Sequence, residues 1–386
     1  MGEQWSPVEQ TLARLVGWNT ESHRPLVSMA GWLADRAEAA GMRVERFRSS
    51  PGKVNVVATA GPDVPGGLGL SGHMDVVPVE GQAWTTDPFQ LTTREDRLLG
   101  RGTCDMKGFI AASVEAVAAM NLRRLRRPLV LIWTHDEEVG CRGSAVLAKT
   151  LAEQGRTLPR AMIVGEPTSF RVAHLHPGHS TYIIECTGRP AHSSRPTLGL
   201  SAIGLARDVL VALAEVEQTL ARTRRFEDIL PTPHTLLNVG EIRGGTAVNI
   251  IAEHCRITVG VRPLPGIRAA EVERILASAL AEVSARAASN GGTVTLTNAQ
   301  CSEGLHTSGS CDHVSLLMRH SPDTRLHGVP FATDAGNLST LGCEPLIFGP
   351  GSIDVAHRPD EWLERADLAK TVDIVQDLIY RRCIAA

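Results

Sequence analysis

The chain has 386 residues, 43% of them hydrophobic and 21% charged, with a formal net charge of −3. That length exceeds what one hydrophobic core usually supports, so two domains are expected, and the charge balance supplies no basic field for nucleic acid or an anionic membrane. The 8 cysteines form no C-x-x-C pair, which excludes a disulfide framework and a zinc knuckle, and no apolar run approaches the ~20 residues of a membrane span. With no leader pattern at the start, a cytoplasmic location is the expectation.

Ser6-Pro7-Val8-Glu9 reads as a capping box with proline in the first helical turn, in preference to the myristoylation pattern that Met1-Gly2 and Ser6 formally fit. It opens a helix to about residue 16, and a second helix over about 25–40 stops at Gly41. Residues 43–47 and 54–60 read as strands. A turn at 63–67 then leads into Leu68 and Leu70, a short buried strand with a polar tip. His73 and Asp75 at that tip share one face of an extended chain. The imidazole can ligate a metal, and the carboxylate two residues on can orient the ring. The run Gly67 to Gly72 matches G-x-G-x-x-G, but its glycines lie before and inside a strand and open no helix, which excludes a nicotinamide or flavin site.

Gly100 to Gly108 precedes a helix of Ala, Val and Met to about residue 120. Residues 129–134 are uniformly apolar, the mark of a strand buried on both faces, and end in His135-Asp136-Glu137-Glu138. A helix over about 142–153 and a strand at 161–164 follow, ending in Gly165-Glu166-Pro167-Thr168. Strand, polar tip, helix, strand is the order of an α/β sheet whose site lies beyond the strands' carboxyl ends. After about residue 175 the pattern changes. Alternating strands at 180–186, 236–242 and 255–261, helices at 200–222 and 269–288, and a strand at 293–298 give βαββαβ, a ferredoxin-like α+β layer. The expected division is an inserted domain at 176–303 within an outer domain of 1–175 and 304–386. A strand at 346–348 leads to Gly349-Pro350-Gly351 and His357, and a helix over about 366–382 follows. His135, His174, His176 and His179 fit no ligand pattern and read as polar edge residues.

The outer domain's polar tips collect His73, Asp75, Asp105, Glu137, Glu138, Glu166 and His357. Buried strand ends carry that many carboxylates only with a cation to neutralise them. Two imidazoles and several carboxylates without cysteine suit Zn²⁺ first, then Co²⁺ or Mn²⁺. The donor set is too large for one tetrahedral ion, so two metals ~3.5–4 Å apart that share a carboxylate are expected. Neighbouring residues of an extended chain point opposite ways. One of Glu137 and Glu138 can therefore bind metal while the other faces substrate as a general base.

The motifs S-G-H-M-D-V-V-P, G-R-G-T-C-D-M-K-G, D-E-E-V-G, G-E-P-T, R-P-A-H-S-S and G-P-G-S-I-D-V-A-H-R-P-D-E, in that order along the chain, resemble the di-zinc amidohydrolases. That family includes aminoacylase, succinyl-diaminopimelate desuccinylase, a glutamate-releasing carboxypeptidase and, closest in its motifs, the acetylornithine deacetylase branch. The resemblance implies a zinc-peptidase-like α/β catalytic domain with helices on both faces of a mixed sheet, and an inserted dimerisation (lid) domain. It implies that His73, Asp105 and Glu166 hold one metal and Asp105, Glu138 and His357 the other, with Asp75 supporting His73. Glu137 would take a proton from the attacking water and pass it to the leaving amine. His192 would serve the neighbouring subunit's site in a homodimer and stabilise the oxyanion. Asn249, Arg262 and the backbone of Gly349 and Gly351 would grip the substrate's carboxylate. Where acetylornithine-cleaving relatives commonly carry Thr-Glu-Ala-Gly, this chain has Thr333-Asp334-Ala335-Gly336, which makes Asp334 a candidate for side-chain selection. The implied substrate is an N-acylated amino acid, N2-acetyl-L-ornithine first, then other acyl amino acids or dipeptides. A metal-free binding protein on the same fold is the rival of a different class.

Overall fold

The structure, a computed structural model, describes residues 5–385, so Met1-Gly2 lies outside the described residues. Two compact units divide the chain. One takes the chain up to Leu175, then Leu305–Gly328 and everything described from Thr333 on; the other takes His176–Gly304 and Val329–Ala332.

The first unit opens with α1 (Pro7–Val16), where the Glu9 carboxylate accepts both the Ser6 N–H at 2.7 Å and the Ser6 hydroxyl at 2.8 Å. There follow α2 (Val27–Ala39), β1 (Arg43–Ser50), β2 (Lys53–Ala60), β3 (Leu68–His73), β4 (Thr92–Arg94), β5 (Arg97–Leu99), α3 (Gly108–Ala118), β6 (Leu129–Thr134), α4 (Arg142–Glu153), β7 (Ala161–Val164) and β8 (Ala173–His176). The second unit supplies β9 (His179–Thr187), α5 (Ala202–Arg222), β10 (Leu236–Gly244), β11 (His254–Arg262), α6 (Ala269–Ser289) and β12 (Thr293–Ser302). The chain then returns through β13 (Leu305–His306), α7 (Val314–Met318), β14 (His327–Gly328), α8 (Asp334–Ser339), β15 (Glu344–Ile347), β16 (Trp362–Glu364) and α9 (Arg365–Ile379).

The main sheet of the first unit runs β1-β2-β6-β3-β7-β15-β8-β13, with β14 beside β8. Its centre, β6-β3-β7-β15, is parallel, and β1, β2 and β8 pair antiparallel, so the sheet is mixed. Alternation sorts its side chains to two faces. Val54, Val56, Leu129 and Leu131 pack with α1, α2, α3 and α9, whereas Val57, Val130 and Ile132 pack with Leu147 and Leu151 of α4 and Leu338 of α8. Both faces are thereby covered, as a parallel centre requires. The register places His73 opposite Thr134, and Val164 opposite Ser71 and Ile347. The carboxyl ends of these parallel strands therefore open at one edge of the sheet.

The second unit is an antiparallel sheet in the order β10-β11-β9-β12. Buried residues of α5 fall at 202, 205, 206, 209, 213, 216 and 220, one helical stripe that packs with α6 against Tyr182, Ile184, Ile257 and Val259. Short elements escaped the sequence reading, namely β4, β5 and β16, which form a three-stranded sheet, and β8, β13 and β14. His174 and His176 lie on β8 and are buried, and His135 is buried too, so all three are packed groups rather than polar edges. The 8 cysteines are free thiols. Among the described residues no helix is long and apolar enough to cross a membrane.

Candidate metal and catalytic centre

His73 is the last residue of β3 and is buried. Its Nδ1 lies 2.9 Å from the carbonyl of Asp75. A carbonyl only accepts, so Nδ1 carries a proton, and Nε2 is the nitrogen left to bind a metal once it has shed the proton it shares with Asp105. Nε2 sits 3.0 Å from Asp105 Oδ1. The other oxygen, Asp105 Oδ2, is 3.2 Å from His357 Nε2, which is also 3.0 Å from Glu138 Oε2. Each oxygen of Asp105 thus faces one imidazole.

Asp75 supports His73 by a different route from the expected one. Its carboxylate is 3.9 Å from His73 Nδ1, beyond hydrogen-bonding range, and the ring is oriented through the main-chain carbonyl. The Asp75 carboxylate instead accepts the Ser22 hydroxyl at 2.8 Å and the N–H groups of Glu137 and Glu138 at 3.1 and 3.2 Å. It fixes the loop after β6, and with it both glutamates.

Asp105 is set by a carboxylate that sequence reasoning quoted inside a motif without giving it a role. Buried Glu361 accepts the N–H groups of Gly102, Cys104 and Asp105 at 3.0, 2.9 and 3.0 Å and the buried Arg101 guanidinium at 2.6 Å. Arg101 also donates to Gln82 Oε1 at 2.6 Å, and Gln82 donates to the His357 carbonyl at 2.9 Å. One polar chain therefore ties the Asp105 segment to the His357 loop. The available signal was position, since Glu361 follows His357 by one turn-length and Arg101 precedes Asp105 by the same spacing.

The electrostatics are those of a site crowded with negative charge. Burial, followed by repulsion from Asp105, raises Glu138 to about 7. Burial and the charge of Glu166 push Glu137 well above the carboxylate range, and burial and Asp105 do the same to Glu166. Burial also works to raise Asp105, but hydrogen bonds from His357 and His73 hold its carboxyl far below the usual value. Burial disfavours a charged His73, yet the Asp105 hydrogen bond and nearby Glu137 and Glu166 raise it well above the ordinary range. Hydrogen bonds from Asp105 and Glu138 raise His357 to about 10. Buried carboxylate oxygens Glu138 Oε1 and Glu166 Oε1 have no hydrogen-bond partner. Donor atoms of His73, Asp105 and Glu138 all lie within 4.8 Å of one another. Oxygen and imidazole donors, orphaned and converging, fit a hard or borderline divalent cation.

The remaining expected residues are distributed as follows. Glu137 Oε1 accepts the Cys141 thiol at 3.4 Å. Gly349 spends its N–H on Thr168 Oγ1 at 3.2 Å and its carbonyl on Phe170 N at 2.9 Å, so its backbone groups are committed within the fold. Gly351 has φ of 73°, and a Cβ there would lie 2.5 Å from Cys104 Sγ. Asp334 is buried, with Oδ2 2.5 Å from Thr134 Oγ1 at the end of β6 and Oδ1 without a hydrogen-bond partner. His192, Asn249 and Arg262 belong to the second unit and are exposed. The Ser194 N–H donates to His192 Nδ1 at 3.2 Å and the Ser194 hydroxyl lies 2.8 Å from the same nitrogen, an arrangement that suits the tautomer with its proton on Nε2. A further donor group, Cys311, His313 and Glu344, is spent on structure: His313 Nε2 is 2.7 Å from the Glu344 carbonyl and Arg160 forks the Glu344 carboxylate at 2.9 Å.

Imidazole and carboxylate donors at the open ends of a parallel sheet, beside a spare glutamate, define a metal-dependent hydrolase of the α/β class. The model of peptidase family M20/M25/M40 matches residues 69–381, and the chain belongs to that family. It is 34% identical over 370 residues to the acetylornithine deacetylase of Salmonella arizonae, covering 94% of this chain and 92% of that one. It is also 34% identical over 367 residues to that of Pectobacterium atrosepticum, again covering 94% and 92%. The solved structure of an M20 family metallo-carboxypeptidase from Sulfolobus solfataricus shares the fold, with a TM-score of 0.75 at 16% identity over 97% of this chain and 99% of that one.

Proposed function

We propose that the chain hydrolyses the acetyl amide of N2-acetyl-L-ornithine to L-ornithine and acetate, using two divalent metal ions, Zn²⁺ first and Co²⁺ or Mn²⁺ next. The observation that carries the hydrolytic reading is the Asp105 carboxylate shared between His73 and His357, with unpartnered oxygens of Glu138 and Glu166 beside it. The substrate follows from the similarity to acetylornithine deacetylases over 94% of the chain.

His73, Asp105 and Glu166 would hold one ion, and Asp105, Glu138 and His357 the other. Bound there, the ions supply Lewis acidity, polarising the acyl carbonyl and lowering the pKa of water. Glu137 accepts a proton from the water that attacks the acyl carbon, and then gives it to the amine nitrogen as the C–N bond breaks. Such a shuttle is worth ~10²–10⁴ in rate. Its high proton affinity, set by burial and Glu166, suits a group that must accept a proton near neutral pH. Asp75 keeps Glu137 and Glu138 in register by binding their N–H groups. In a homodimer built through residues 176–303, the partner subunit's His192 would donate its Nε2–H to the developing oxyanion, and Asn249, Arg262 and the Gly351 backbone would hold the substrate's carboxylate.

The test is acetate release from N2-acetyl-L-ornithine compared with a panel of other acyl amino acids and dipeptides, with and without chelator. Acetylornithine should be turned over fastest, and chelator should abolish turnover until Zn²⁺ or Co²⁺ is returned. A faster dipeptide sinks the substrate assignment. Full activity in chelator sinks the metal mechanism.

A further inference from the structure

We infer that Asn55 is a positioning residue for the reaction, acting by fixing the neck of the loop that carries Glu137 and Glu138. This rests on the reading of Glu137 as the base. Asn55 sits on β2, wholly buried, on the face it shares with Lys53 and Val57. Its amide is used at both ends. Oδ1 accepts the N–H of His135 at 3.1 Å, and Nδ2 donates to the carbonyl of Gly143 at 2.9 Å. His135 is the first residue beyond β6 and Gly143 lies in the first turn of α4, so one side chain spans the two ends of the loop. A third bond, from Gly143 N–H to the His135 carbonyl at 3.0 Å, closes the neck directly. The approach is so close that a Cβ on Gly143 would lie 2.1 Å from the His135 carbonyl oxygen and 2.8 Å from Asn55 Oδ1. Lys53, two residues earlier on the same face, pairs with Asp136 at 2.5 Å just above the neck.

The loop is therefore held at two levels. Asp75 binds the Glu137 and Glu138 N–H groups at the crown, and Asn55 binds the chain where it enters and leaves. Only an amide of this length offers a donor and an acceptor at fixed separation here. Leucine at position 55 would strand the buried His135 N–H, which regains a partner only by shifting the neck toward water, and would take from the Gly143 carbonyl the bond it accepts besides its helical one. The Asn55 side chain bonds to His135 and Gly143, neither of which is a proposed metal donor. Its effect on catalysis passes through the placement of the Glu137 carboxylate.

The experiment compares Asn55→Leu, which removes both bonds, and Asn55→Asp, which keeps only the acceptor, with the parent after loading with Zn²⁺. Turnover, KM, bound zinc, melting temperature and amide hydrogen exchange across residues 136–142 are read together. A shift of the base on the order of 1 Å predicts a kcat about 10²-fold lower for Asn55→Leu, with KM changed less than about twofold, zinc retained and exchange in 136–142 faster. Asn55→Asp, which sets an oxygen against the Gly143 carbonyl, should show a loss of the same kind. Wild-type kcat in either folded variant, unchanged exchange in the loop, or a kcat loss that merely follows the folded or zinc-loaded fraction overturns the inference. Glu137→Gln is assayed alongside. Normal turnover there would overturn the base assignment itself, whereas an inactive Glu137→Gln beside a fully active Asn55→Leu would overturn only the role of Asn55.

Discussion

Glu138 and His357 compete for the same protons that a metal would displace, and the competition has a sign. Glu138 lies at about 7 against an ordinary 4.5, through burial and the Asp105 charge, and His357 at about 10 against 6.5, through hydrogen bonds to Asp105 and Glu138. A raised pKa stabilises the metal-free fold below the unfolded value, and that contribution is lost as pH climbs through the folded value. For Glu138 the loss runs from 4.5 to about 7, and for His357 from 6.5 to about 10. As ligands, Glu138 and His357 would have to shed these protons before binding, so metal affinity should rise over the same interval. The gain in melting temperature on adding Zn²⁺ should therefore grow from about pH 5.5 to about pH 8, and a gain flat across that range would refute the assignment of Glu138 and His357 as ligands. Residue types at strand ends singled out these carboxylates and imidazoles as a group that calls for a cation, and the resemblance to the di-zinc amidohydrolases supplied which of them would bind it. The direction of Asp75 was not legible. An i, i+2 spacing puts two side chains on one face, but it cannot say that a main-chain carbonyl reaches the imidazole first while the carboxylate turns to the N–H groups of Glu137 and Glu138.

At the scale of elements, β6 and β7 announced themselves by being apolar throughout, and α5 by an amphipathic stripe whose periodicity accumulates over many residues. Elements of two to four residues without such a run carry too little pattern, which is why β8 and the β16-β5-β4 sheet went unread. The most consequential of these small pieces is β16, because Glu361 stands immediately before it and gathers the segment that carries Asp105. The carboxylate and Arg101 are both buried, each 1% exposed. Removing one member of such a pair leaves the other uncompensated, a cost of about 3–5 kcal/mol. Glu361→Ala should lower stability by that amount in a denaturant titration and also reduce bound metal, because Asp105 loses the N–H anchor that aims it. A Glu361→Ala protein as stable and as metal-rich as the parent would show that Asp105 is placed by the rest of the fold. Its link to the site through Arg101 and Gln82 is invisible to local sequence reasoning, since the bonded residues are separated by 19 and 260 positions.

At the scale of the whole molecule, the sharpest expectation concerns assembly. The chain folds as two units, with every proposed metal donor in one and His192, exposed, in the other. If His192 acts across a homodimer, two inactive variants can repair each other. Glu137→Gln lacks the base but keeps His192, and His192→Ala lacks the donor but keeps Glu137. In a mixed dimer, the site with an intact Glu137 receives the partner subunit's His192 and works, while the other site fails twice over. Random exchange of equal amounts gives half mixed dimers, each with one working site, so about one quarter of parental activity should return. Action within a single chain gives a different result: each site of the mixed dimer keeps its own defect, and the mixture stays as inactive as its components. Refolding the two variants together and assaying acetate release separates these outcomes, with size-exclusion chromatography confirming that mixed dimers formed. Recovery near one quarter requires both a dimer and a donor supplied in trans. Mixed dimers with no recovery would show that His192 acts within its own chain and would overturn donation in trans.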